Sequence, residues 1–258
     1  MDLGQTDYNV PVGVAHEINI RGYVETSLID WDGCVSAVVF LGDCNMSCVF
    51  CHDHEMLSET GPGIDENAIL ENLRFQNLWI DGVVITGGEP TFNRGLPGFI
   101  DRIKSQGFKV KIDTNGTMPD VLSNLVRNGY VDYVAMDIKA PLEQKWRDPD
   151  GRRKYDIISG TRVSLEDINR SVEFLLEENV DYEFRTTLVP TFIGEEDICE
   201  IASHIRGARR YFLQPFEPTN ARAARLRELQ PYSPQRTAEI LEAAKRFVPG
   251  ARLRGKLR

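Results

Sequence analysis

Apolar and polar residues follow two rhythms along this chain. Short runs rich in β-branched and aromatic residues stand at Ser36–Leu41, Gly82–Thr86, Phe108–Asp113, Val131–Asp137, Tyr182–Val189 and Tyr211–Pro215, each of strand length. Between them apolar residues recur every three or four positions: Ile69, Leu70 and Leu73; Leu96, Phe99, Ile100 and Ile103; Val121, Leu122, Leu125 and Val126. That spacing places each set on one helix face. Ser164 three residues before Asp167 predicts a capped helix to about Glu178, and Ser233-Pro234 predicts a last helix to about Phe247. Strands alternating with helices predict an α/β fold with a parallel sheet. The strands are nearly continuous in apolar character, so both faces are covered, as in a barrel or a doubly wound sheet.

Four stretches fall outside this rhythm. Glu17–Ile20 and Tyr23–Leu28, separated by Arg21-Gly22, predict a small N-terminal hairpin. Residues 140–163 and 217–232 carry prolines and charges without periodicity, and long irregular connections are commonly functional. The tail Arg252-Leu-Arg254-Gly-Lys256-Leu-Arg258 alternates like a basic β-edge, or it frays.

Length and charge narrow the class. The 258 residues suit one barrel-sized domain over 1–258, with a core at about 17–216 and an extension at 217–258. The net charge of −9 disfavours a nucleic-acid or anionic-membrane binder, although residues 201–258 hold 13 Lys or Arg against 4 Asp or Glu, a basic helix and tail on an acidic body. Met1 to His16 lacks the basic start and apolar run of a secretory signal, and no apolar stretch reaches membrane-span length, so the expectation is a cytoplasmic protein.

Of five cysteines, three lie within eight residues, a clustering that reads as a metal site rather than a disulfide framework. Cys44-x3-Cys48-x2-Cys51 follows the first parallel strand. Three thiolates on one short loop can ligate three irons of a cubane and leave the fourth iron open. The alternative is a closed zinc site completed by His52 or His54. Further polar residues stand at later strand ends: Gly87-Gly88-Glu89-Pro90, Asp113-Thr114-Asn115-Gly116, Met136-Asp137-Ile138-Lys139, then Arg185 and Gln214. In α/β folds the working site gathers at those carboxyl ends. Two glycines there permit close backbone approach, and the glutamate can accept from a cationic amine. The duller readings are that Asp113 and Asp137 cap helices or pair with Lys139, that Cys34, Cys199, His16 and His204 are packing or surface groups, that His52 supports its loop, and that Arg152-Arg153-Lys154 is solvated.

The run Cys44-Asn-Met-Ser-Cys48-Val-Phe50-Cys51-His52 resembles the cluster loop of the radical S-adenosylmethionine superfamily, and Gly87-Gly88-Glu89-Pro90 is similar to its amine-binding motif. Tyr23 to Trp31, Asp113-Thr-Asn115-Gly116 and Asp137-Ile-Lys139-Ala-Pro141 resemble the glycyl-radical-enzyme activases, of the kind that serve anaerobic ribonucleoside-triphosphate reductase. The resemblance spans about residues 17–216. It implies a partial (β/α)6 barrel with an N-terminal hairpin, a [4Fe-4S] cluster on Cys44, Cys48 and Cys51, and S-adenosyl-L-methionine on the open iron. By it, Phe50 packs near the adenine, and Gly87, Gly88 and Glu89 hold the methionyl amine. Asn115, Lys139 and Arg185 are cofactor-proximal. Asp113 and Asp137 match carboxylates that surround a monovalent cation, while Gln214 replaces a frequent histidine. The implied chemistry is one-electron cleavage of the sulfonium to a 5′-deoxyadenosyl radical that takes a hydrogen from a glycine. The implied partners are a glycyl radical enzyme, in the first place anaerobic ribonucleotide reductase, and a low-potential electron donor such as ferredoxin or flavodoxin. Two alternatives stay open: a radical S-adenosylmethionine enzyme for another glycyl radical enzyme, a small molecule or a nucleotide precursor, and a zinc-stabilised nucleic-acid module using the basic end.

Overall fold

A computed structural model describes residues 18–142 and 147–255. His16 and Glu17 of the expected N-terminal features, and Lys256 to Arg258 of the tail, lie outside them. Eight strands form one sheet in strictly sequential order. β1 (Ile20–Ser27) runs antiparallel to β2 (Ser36–Leu41), and the rest add in parallel: β3 (Gly82–Gly87), β4 (Lys109–Thr114), β5 (Tyr133–Asp137), β6 (Asp181–Leu188), β7 (Tyr211–Pro215) and β8 (Ala251–Leu253). β1 and β8 do not pair, so the barrel is open, the partial α/β barrel expected.

Helices fill the crossovers: α1 (His54–Ser58) and α2 (Glu66–Gln76), α3 (Leu96–Lys104), α4 (Pro119–Arg127), α5 (Lys154–Ser159) and α6 (Leu165–Glu177), α7 (Glu195–His204) and α8 (Pro234–Lys245). Their ends follow local chemistry. The Ser164 hydroxyl accepts from Asp167 N at 3.1 Å, the Ser233 hydroxyl from Arg236 N at 3.2 Å, and Pro234 occupies the first turn where its missing N–H costs nothing. Ala37, Val39, Val83, Ile85, Val110 and Ile112 face the helices and pack with Leu73, Ile100, Leu122, Val172 and Ile198. Each such side chain contributes roughly 1.5–3 kcal/mol on burial. The opposite strand face lines the barrel interior, where Val38, Val84 and Tyr133 enclose Trp31.

The structure departs from the sequence expectations in three places and decides the open alternative for the tail. Arg21-Gly22 is not a hairpin turn: the chain passes through it as a bulge in a single strand, whose partner is β2. A Cβ on Gly22 at this bulge would stand 3.2 Å from the Phe40 side chain, tighter than ordinary contact. The tail's alternation does form a strand, which makes β8 a seventh parallel member. Residues 140–163 are not irregular throughout, because α5 ends there on Gly160 at φ +65°. Finally, α7 begins with three acidic residues at its positive end, a signal that its sparse apolar face hides from a periodicity count.

Candidate active site

The cysteine loop leaves β2 through Asp43, a non-glycine residue at φ +62° whose side chain accepts from Asn19 at 3.0 Å. Gly87 and Gly88 follow from that turn. A Cβ on Gly87 would stand 2.4 Å from the Leu41 carbonyl oxygen, and one on Gly88 would stand 1.9 Å from that of Asp43. Gly88 N and Glu89 N donate to those same carbonyls at 2.8 and 2.9 Å. The paired glycines thus lock the β3 turn onto the cysteine loop, besides leaving room above.

Two segments without sequence periodicity hold the loop from outside. Ser47 N donates to the Ser159 carbonyl at 2.9 Å and Val49 N to that of Ile158 at 3.0 Å. From the other side Ala223 N donates to the Val49 carbonyl at 2.8 Å and Arg222 N to that of Cys51 at 3.1 Å. A side chain on Gly160 would meet the Ser47 carbonyl at 2.1 Å. His52 supports the loop as expected, its Nε2 donating to the Glu217 carbonyl.

The thiols of Cys44, Cys48 and Cys51 line a cavity of about 470 Å³ shared with Phe50, Gly87, Gly88, Glu89, Asp113, Asn115, Asp137, Lys139, Arg185 and Gln214. Residues as far apart in sequence as Cys44 and Gln214 therefore meet at the carboxyl ends of the strands. Burial pushes the Cys44 thiol up to about 12, and raises Cys48 and Cys51 as well, so metal ligation there must displace protons.

Glu89 is 1% exposed. It accepts from Thr114 Oγ at 2.7 Å, Thr91 N at 3.1 Å and Asn115 N at 2.6 Å, so its carboxylate ties the β3 turn to the end of β4. Burial still raises it above the usual carboxylate range. Asp113 and Asp137 do not cap helices. Arg185 bridges them, Nε to Asp137 at 2.7 Å and Nη1 to Asp113 at 3.0 Å, with Lys139 Nζ 3.3 Å from Asp137. Burial works against the charge of Asp137, but Arg185 and Lys139 hold it low. Lys139, raised by Asp137 and the Cys48 thiol against the effect of burial, lies 5.6 Å over the Phe50 ring. Asp113 Oδ1, at this cavity, is buried without a hydrogen bond, with Lys111 Nζ 3.6 Å away. An acceptor so left beside three thiols fits a site that takes a further group.

Sequence reading missed the residues below that rim. Lys111 and Glu183, each 1% exposed, stand inside the barrel with Arg254 of the tail. Arg254 Nη2 donates to Glu183 at 2.9 Å and to Asp32 at 2.8 Å, Tyr133 donates to Glu183 at 2.7 Å, and Lys111 Nζ reaches the Asp30 carbonyl and lies 3.6 Å from Asp113. A signal was present: Lys109, Lys111 and Asp113, like Glu183, Arg185 and Thr187, occupy alternate positions of otherwise apolar strands, hence one face.

Comparison with known proteins agrees with this geometry. Residues 38–208 match the model of the Radical SAM superfamily. A protein of Methanocaldococcus jannaschii named as a glycyl-radical enzyme activating enzyme is 34% identical over 91% of this chain and 95% of its own length. A 7-carboxy-7-deazaguanine synthase of Aquifex aeolicus is 35% identical over 33% of this chain and 38% of its own length. Among solved structures, Streptococcus suis SuiB bound to its precursor peptide SuiA superposes with a TM-score of 0.62 at 14% identity, covering 84% of this chain and 48% of that one, a likeness of fold. The chain belongs to the radical SAM superfamily. Within it, the kinship that runs along almost the whole chain is with the glycyl-radical-enzyme activase group.

Proposed function

We propose that this protein is a radical S-adenosylmethionine activase that installs a glycyl radical on anaerobic ribonucleoside-triphosphate reductase. The observation that carries the reading is the single cavity in which three thiols, the Gly87-Gly88-Glu89 turn and the Arg185-bridged carboxylates meet. Cys44, Cys48 and Cys51 would hold the [4Fe-4S] cluster, and three ligands for four irons leave one position for S-adenosyl-L-methionine. When both are bound, they would supply one-electron reductive cleavage of the sulfonium, with the electron from a low-potential donor, for hydrogen abstraction from a glycine α-carbon.

The chain's own residues orient and shield. Gly87, Gly88 and Glu89 would receive the methionyl amine, and Arg185 and Lys139 supply fixed positive charge for the carboxylate. Asp113, with one oxygen free of hydrogen bonds, and Asp137 would be the ligands of a monovalent cation at that carboxylate. Phe50 lies beneath Lys139 at the cavity wall, where it can pack on the adenine, and Asn115 fixes the adjoining turn. The paired ions below would help to exclude water from the barrel interior, which would protect a carbon radical from side reactions. Among the described residues no helix is long and apolar enough to cross a membrane.

Anoxic reconstitution with iron and sulfide, followed by electron paramagnetic resonance with and without S-adenosyl-L-methionine and an assay for 5′-deoxyadenosine, tests the cofactor chemistry. Incubation with the purified reductase tests the partner. The expected result is a cubane signal altered by the cofactor, deoxyadenosine, and a glycyl radical on the reductase. Zinc in place of iron, with no cleavage, would sink the enzyme reading. Cleavage without a glycyl radical favours the second reading, a small-molecule or nucleotide-precursor substrate, to which the likeness to the deazaguanine synthase and the polar barrel interior lend support.

A further inference from the structure

The outer side of the cysteine loop borders a second cavity, of about 670 Å³, that the chemistry above does not use. Along the loop the two cavities are divided by a single thickness of backbone. Cys48 and Phe50 line the inner cavity and Val49, between them, lines the outer one. Five arginines, Arg147, Arg152, Arg153, Arg162 and Arg225, face two aspartates, Asp150 and Asp156, across this groove. Some of that charge is neutralised in place: Arg152 pairs with Asp148 at 2.7 Å and Arg153 with Asp156 at 2.6 Å. Arg162 and Arg225 are exposed and make no ion pair among the described residues, and Arg225 lies only against the Phe192 ring at 5.9 Å.

Their placement is specific. Val49 is hydrogen-bonded on one side to Ile158 and on the other to Ala223. Arg162 stands just beyond the first of these contacts and Arg225 just beyond the second, so two uncompensated cations flank the outer face of the loop that carries the thiols. Arg222, whose Nε is buried without a partner, continues the positive charge inward toward Cys51. The chain as a whole carries −9, so an acidic protein is repelled by its body and attracted to this patch.

We propose that this arginine groove is the docking surface for an acidic one-electron carrier protein. The inference rests on the radical S-adenosylmethionine reading of the site and says where its electron enters. A substrate protein must present its glycine at the inner cavity, so a carrier that approached there would compete with it. Approach from the outer groove leaves both bound, with only the loop between carrier and cubane. One electron leaves the carrier's reduced centre and enters the cubane; no bond to the carrier forms.

The test compares Arg162→Glu/Arg225→Glu with a matched reversal, Arg74→Glu/Arg252→Glu, at exposed positions elsewhere. Reconstituted proteins are mixed under anoxia with a reduced acidic ferredoxin or with dithionite, and cluster bleaching is followed by stopped flow over a range of salt. The groove variant should lose about tenfold or more in its second-order rate with ferredoxin and most of its salt dependence, while the matched variant and all dithionite rates stay at the wild-type level. Should the double reversal lower iron content, Arg162→Gln/Arg225→Gln serves, with a loss of about threefold. Equal ferredoxin rates in the two variants, a wild-type rate that does not fall with salt, or a wild-type cubane that dithionite reduces and ferredoxin does not would each overturn the proposal. Failure of dithionite to yield a reduced cubane in the wild type would strike the radical reading itself.

Discussion

The rim of the barrel and its floor treat charge in opposite ways. On the floor Lys111, Glu183, Arg254, Asp32 and Tyr133 satisfy one another almost completely, and the tail brings in Arg254 to finish the set. On the rim, burial raises the three thiols, and Asp113 Oδ1 has no hydrogen bond, with the Lys111 ammonium 3.6 Å away. A buried polar group without a hydrogen bond costs about 1–3 kcal/mol, a cost that a group bound at the rim would offset. The floor has the signature of a stopper and the rim that of a receptacle.

Substitutions can separate the two. Cys48→Ala should have the largest effect, abolishing cluster assembly and deoxyadenosine formation while the fold persists, measured by iron content and circular dichroism. Glu183→Ala strands Lys111 and Arg254 in the interior and should cost about 3–5 kcal/mol in denaturant unfolding. Its deoxyadenosine yield per intact cluster should stay near the wild-type level, because no thiol moves; a large loss of that yield would merge floor and rim into one device. Gly88→Ala forces a methyl against the Asp43 carbonyl and should cost about 1–3 kcal/mol, with a matching fall in iron retained per chain.

Smaller effects sharpen the picture of the clamp around the cysteine loop. Arg153 holds Asp156 below the usual carboxylate range although burial opposes it. Such a group stabilises the fold at pH values above its unfolded pKa of about 3.9, and that stability is lost as pH falls toward the lowered folded value. Asp156→Asn should therefore cost about 1 kcal/mol near neutrality and flatten the acid limb of the unfolding profile below about pH 4. Cys199→Ala should change neither iron content nor cleavage, since Cys199 lies on α7 away from both cavities.

The residues that line the inner cavity were legible wherever they are neighbours in sequence. The thiol spacing of Cys44, Cys48 and Cys51 and the glycine pair at 87 and 88 are short motifs because a single loop must wrap one group and a single turn must pass close to backbone. Strand and helix periods were legible for the same reason, since each strand or helix reports its own buried face. The N-terminal hairpin was misread because Arg21-Gly22 looks like a turn in isolation, whereas pairing with β2 turns it into a bulge.

What only the tertiary structure decided are the encounters between distant residues. Nothing local marks Arg254 as the partner of Glu183, or Ala223 and Ile158 as the two hands on Val49. Aperiodic stretches such as 217–232 acquire their role from what they touch. An amino-acid sequence determines which faces must be buried and which side chains carry charge or sulfur. Which of those charges meet depends on how the sheet curls, because side-chain electrostatics and hydrogen bonds act over a few ångströms in space and are indifferent to distance along the chain.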